Sequence, residues 1–181
     1  MKLITSILAT LTLLSLNAWA ESPNEATINW KLVKEVKSLV VLKLDPQLGE
    51  VTYGPNFARS DEALLAKYSE IYLTMSMNPK NEEFYTLFIT AHHNDKDWHS
   101  YDTAKRKDGD KLDLQTFAKN ENVSVNNVDY KYEERLAISM SFIDFADGFD
   151  FGLELTISGY QTDTLMIPAT YFRAMMQSMP Q

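Results

Sequence analysis

Histidine and aspartate crowd one short stretch of this chain, His92-His93-Asn94-Asp95-Lys96-Asp97-Trp98-His99, and imidazole with carboxylate is a donor set for Zn²⁺ or Cu²⁺. If Asn94 to Asp97 form a tight hairpin loop, the flanking strands pair so that His93 opposes Trp98 and His92 opposes His99. Opposed strand residues hold their Cβ atoms about 4.5–5.5 Å apart, near enough for two imidazoles to share one ion. Asp95 and Asp97 are the nearest carboxylates for a third ligand, and Tyr101 falls on the same face as His99. A register slip of one residue would put His92 and His99 on opposite faces, and two polar residues at the wet end of a hairpin would read the same way.

Other groupings have plainer readings. Asp144, Asp147 and Asp150 with Gly148 form an acidic cluster, but a calcium loop needs oxygen ligands at alternate positions and a closing Glu, so a solvated helix end fits better. Glu133 and Glu134 are adjacent in a strand and therefore face opposite sides, which keeps them from sharing one substrate. Met75 with Met77 and Met175 with Met179 could offer thioethers to Cu(I), yet both pairs sit where core filling is expected. Trp98, Tyr101 and Tyr85, with Tyr68 and Tyr72, could line a ligand pocket on a concave sheet face; the same residues are what a core without disulfides requires. There is no cysteine, no H-E-x-x-H, no G-x-S-x-G and no G-x-G-x-x-G, so no common catalytic or nucleotide-binding signature is present.

The elements that must hold these residues read as mostly β. Ser38 to Leu44 is expected to be a buried strand stopped at Asp45-Pro46, and residues 47–58, with Gly49, Gly54 and Pro55, a loop. A short helix near residues 60–67 is announced by Ser60-Asp61-Glu62. The next strands are expected over Tyr68 to Met77 and Phe84 to His92, joined by a turn at Asn78-Pro79-Lys80-Asn81. Trp98 to Lys105 is then expected as a strand, with Asp108-Gly109 turning the chain into another at Leu112 to Phe117. Lys119 to Asp129 is Asn-rich and reads as irregular, Glu134 to Met140 as a strand, and Ser141 to Ala146 as a helical turn closed by Gly148. Asp150 to Ser158 alternates as a half-buried strand does, and Thr164 to Ile167 is a short strand. After Pro168, residues Tyr171, Phe172, Met175, Met176 and Met179 share one helical face. The expected architecture is α+β: a mostly antiparallel sheet with a C-terminal helix packed on it.

The N-terminus has the order of a secretory signal: Lys2, an apolar run from Leu3 to Leu16, and Ala18-Trp19-Ala20. Cleavage after Ala20 would leave 161 residues, 21–181, as one α+β domain with a net charge of about −9, since Lys2 is the only charge removed. No cysteine is available for a lipid anchor and no later segment is long and apolar enough to span a bilayer, so a soluble periplasmic or secreted protein is expected. That charge disfavours nucleic acid and anionic lipid as partners.

Trp98-x-x-Tyr101-x-x-Ala104, Asp108-Gly109-x-x-Leu112, Tyr132-Glu133-Glu134, Gly152-Leu153 and Ile167-Pro168-x-x-Tyr171 together resemble small exported proteins of Gram-negative bacteria, whose function is unknown. The resemblance covers the C-terminal half and implies compartment rather than mechanism. The expectation is a non-enzymatic binding or interaction module for an unknown periplasmic protein, peptide or small ligand, with no cofactor required. Its alternatives are a weak Zn or Cu site on the His92/His99 hairpin and a hydrolase without a recognisable motif.

Overall fold

A computed structural model of the chain describes residues 28–46, 49–78, 80 and 82–179; the expected signal segment and its cleavage point lie outside them. Nine strands form one sheet in the order β1-β2-β3-β4-β7-β6-β5-β8-β9. They are β1 (Val41–Asp45), β2 (Gly49–Tyr53), β3 (Tyr68–Met77), β4 (Glu83–His93), β5 (Thr103–Arg106), β6 (Lys111–Val125), β7 (Val128–Met140), β8 (Leu153–Ser158) and β9 (Thr162–Ile167). Every neighbouring pair is antiparallel. The helices are α1 (Val33–Lys37), α2 (Glu62–Leu65), α3 (Phe142–Phe151) and α4 (Ala169–Met176). The antiparallel sheet and C-terminal helix match the expectation, but strand outweighs helix so far that the fold is sheet-dominant rather than strictly α+β.

The sheet curls, and Lys67, just before β3, reaches Asp163 in β9 through a 2.8 Å ion pair. α4 lies against the core face of this curl. Tyr171 and Phe172 are buried there with Phe145 of α3, whose start is fixed by a reciprocal capping box between Ser141 and Asp144. Each fully buried side chain of this size contributes roughly 1.5–3 kcal/mol. Tyr171 is also satisfied at its polar tip: its hydroxyl donates to the Pro55 carbonyl and accepts from the Leu73 amide.

Five expectations are corrected. α3 runs through Gly148 to Phe151 and ends at Gly152, whose φ is 79°, so Gly148 does not close a single turn and the strand read from Asp150 begins at Leu153. β1 is an edge strand, not a buried one; Leu42 and Leu44 are exposed because β2 covers only one side. β2 lies inside the segment read as a loop, between Gly49 and Gly54, where the turn residues flank a paired stretch rather than fill it. The Asn-rich residues 119–129 are a long hairpin arm: β6 runs to Val125 and β7 starts at Val128, with Asn126 and Asn127 supplying the two positive φ angles of the turn. Finally, β4 does not form a hairpin with the segment after it. Its neighbours are β3 and β7, and residues 94–102 cross over to β5, which pairs with β6 and β8.

Candidate metal centre

The crossover overturns the pairing expected for the histidines. β4 side chains alternate: Leu87, Ile89, Ala91 and His93 point to the core, and Phe88, Thr90 and His92 to the other face. His92 opposes Glu133 and packs on Tyr130, with ring centroids 3.9 Å apart, while His93 opposes Tyr132. With no strand at 98–102 to continue the ladder, residues 94–102 fold back over the core face of β4 and β7. That return brings His99 to His93 and not to His92.

The loop is held by specific contacts. Ser100 takes a left-handed φ of 50°, uncommon for a residue with a Cβ, and its amide donates to Glu134 Oε1 at 2.8 Å. Trp98 packs on Tyr132 at 4.3 Å, and Lys119 extends over the Trp98 ring while pairing with Glu134 at 3.5 Å. From the other side the turn between β8 and β9 locks the loop, the Tyr160 amide donating to the His99 carbonyl. The backbones come so close there that a Cβ on Gly159 would lie 2.1 Å from the Ser100 carbonyl oxygen. A side chain at 159 therefore cannot coexist with the loop in this place.

One donor atom each from His93, Asp95 and His99 lie within 4.8 Å of one another. Asp95 Oδ2 is 2.5 Å from His99 Nε2 and 3.9 Å from His93 Nδ1. The two rings stack face to face, with centroids 3.5 Å apart and planes inclined by 9°. Behind His99 runs a hydrogen-bonded chain. The Tyr101 hydroxyl donates to Asp163, so the His99 Nδ1 contact to the Tyr101 oxygen at 2.8 Å requires Nδ1 to be the donor. The other ring nitrogen, Nε2, faces Asp95. Behind His93 is Glu134, fully buried, with Oε1 3.8 Å from Nε2. A carboxylate or hydroxyl on the far nitrogen is the usual support for a metal-bound imidazole.

Electrostatics separate the partners. Burial pushes the His93 imidazole below its usual value, and the neighbouring His99 adds to the effect. The hydrogen bond from His99 holds the Asp95 carboxyl below the ordinary carboxylate range. Burial pushes Asp163 up, but the hydrogen bonds from Lys67 and Tyr101 outweigh it and leave the carboxyl low. Burial, reinforced by Asp163, raises the Tyr101 hydroxyl. The lowering at His93 favours its neutral ring, the form that ligation demands. Both of its ring nitrogens are buried and without a hydrogen-bond partner, as are those of His92 on the other face; His93 alone of the two has His99 and Asp95 beside it. Such orphaned groups are rare in folded proteins and call for an explanation.

Of the residues singled out in the sequence, Asp95, His99, Tyr101 and Trp98 gather here. His92 lies on the opposite face of β4, and Asp97 is exposed in the loop, outside the three-donor group. Tyr85 is buried far along the same strand, stacked on Phe145 at 4.6 Å and hydrogen-bonded to Glu83. His93, Glu134, Lys67 and Asp163 were not anticipated; the alternation of Leu87, Ile89 and Ala91 was the available signal that His93 faces the core. The acidic cluster is engaged otherwise, Asp144 and Asp147 gripping Arg106 at 2.8 and 2.6 Å. Met75 and Met175 are buried in the core and Met179 packs partly buried against it, whereas Met77, expected there too, is exposed at the end of β3. Among the described residues no serine or threonine hydroxyl is hydrogen-bonded to a histidine ring, and no helix is long and apolar enough to cross a membrane. Comparisons of the chain with protein-family models, curated proteins and solved structures find no significant match.

Proposed function

We propose that this chain is an exported periplasmic protein that binds a divalent transition-metal ion, Zn²⁺ or Cu²⁺, through His93, Asp95 and His99. It is a binding protein rather than an enzyme, with the ion as its ligand. The observation that carries the reading is the convergence of the three donors around His93, a buried imidazole with no hydrogen-bond partner for either nitrogen and carboxylates of Asp95 and Glu134 at 3.9 and 3.8 Å. Export is supported by the signal-like order of residues 1–20.

Loading has a structural consequence. Parallel rings direct their lone pairs along parallel planes, whereas bonds of about 2.0–2.1 Å to one tetrahedral ion need them to converge. The stack must therefore splay as the ion enters, and Asp95, exposed on the loop, is free to follow. Calorimetric titration of chelator-treated protein with Zn²⁺ and Cu²⁺ tests the proposal, run beside a His93→Ala, His99→Ala double variant. Micromolar or tighter binding at one ion per chain that vanishes in the variant is expected. Equal weak heats from both proteins would refute it.

A further inference from the structure

The centre borders an open surface depression of about 730 Å³ whose lining includes Asp95, Lys96, Asp97, Trp98, His99 and Tyr160. Two of the three donor residues, Asp95 and His99, belong to that lining, whereas His93 is buried behind them. An ion held by all three is closed on the protein side and open towards the depression. Three protein ligands with a fourth position left to solvent is the pattern of an exchangeable site; closed structural sites use four.

Charge and shape say what would take that position. A divalent ion joined by Lys96 outweighs Asp95 and Asp97, so the occupied depression carries a net positive charge and favours an anionic donor. Trp98 and the 82% exposed Tyr160 supply ring faces and edges beside it for an apolar body. We infer that the ion keeps an exchangeable coordination position facing this depression, and that the carboxylate of a small organic acid displaces water there. The inference rests on the metal reading and adds to it the class of the second ligand.

Co²⁺ makes the exchange visible, because its d–d absorption in the visible reports coordination number and donor type. Co²⁺-loaded protein is titrated with benzoate, and in parallel with benzamide, which has the same ring and no charge. A saturable spectral change with benzoate in the millimolar range, absent with benzamide, is the expected result. Tyr160→Ala, a change at an exposed side chain, should leave Co²⁺ uptake intact and weaken benzoate severalfold. A Co²⁺ spectrum unmoved by benzoate overturns the inference and leaves the metal site standing. So does a benzamide response equal to that of benzoate, or a Tyr160→Ala protein that binds benzoate as the parent does. Failure to take up Co²⁺, Zn²⁺ and Cu²⁺ alike would instead remove the metal reading itself.

Discussion

Two buried regions of this molecule treat their polar atoms in opposite ways. Around α4 the core is closed: Tyr171 and Phe172 are fully buried, and the one polar tip among them, the Tyr171 hydroxyl, both donates and accepts. At the far end of β4 the loop 94–102 buries His93, neither of whose ring nitrogens is hydrogen-bonded, and Glu134, whose Oε2 has no hydrogen bond either. A buried polar group left unpaired costs about 1–3 kcal/mol. The first region is built for stability, and the second carries a standing cost that a bound cation would offset. Departures of this kind from full satisfaction cluster at functional sites.

The contrast can be broken at either end. The largest effect is expected from Phe172→Ala, which should lower unfolding free energy by about 3–5 kcal/mol in denaturant melts, because its ring fills the space between α3 and α4. Zn²⁺ affinity of the folded fraction should stay unchanged. Gly159→Ala should have the reverse balance. It forces the β8–β9 turn away from Ser100, costing on the order of 1–3 kcal/mol as an overpacking change, and should lose metal binding entirely; full binding in that variant would show that the loop's position is irrelevant to the site. His93→Phe keeps a flat ring against His99 and removes the orphaned nitrogens, so metal-free protein should be as stable as the parent or more stable by about 1 kcal/mol. A loss of several kcal/mol would mean that His93 is a structural residue after all.

The smallest effect is one of pH. Burial depresses the folded-state values of His92 and His93, while the unfolded chain takes up protons at about 6.5. Their stabilising contribution is therefore complete above that value and is lost as the pH falls through the depressed folded values. Melting temperature should drop as the pH is lowered from about 7.5 to about 5.5, and drop less steeply in His93→Phe. Phe172→Ala should displace the curve without altering its slope.

Local chemistry was legible in the sequence where a residue's own neighbours decide the outcome. Tyr68 to Met77 is a strand as read, the Asp108-Gly109 turn is formed with Gly109 at a φ of 94°, and the last helix buries Tyr171, Phe172 and Met175. Local misses were the hairpin turned at Asn126-Asn127 and the helix end placed at Gly148; the miss that moved the site was long-range. Asn94-Asp95-Lys96-Asp97 has the composition of a tight turn, but the place beside β4 goes to β7, more than thirty residues on, whose buried Leu136 and Ile138 match the core face of β4. The β6–β7 arm did carry a signal: Val123 and Val125, then Val128, Tyr130 and Tyr132, alternate with polar residues about Asn126-Asn127, and its Asn-rich composition masked it. The site inherited the error: Asp95, His99 and Tyr101 are legible because they share a loop, and His92 reads as the ligand in place of His93 because a local hairpin gives the wrong partner strand.

His92 and His93 are adjacent in sequence and on opposite faces of β4, which makes them the sharpest test of where the ion sits. Zn²⁺ affinity measured by competition with a chromophoric chelator should fall by about tenfold or more in His93→Ala, roughly 1.4 kcal/mol or above. In His92→Ala it should remain within about twofold of the parent, a difference well under 1 kcal/mol. Equal losses in the two variants, or a loss confined to His92→Ala, would contradict the account.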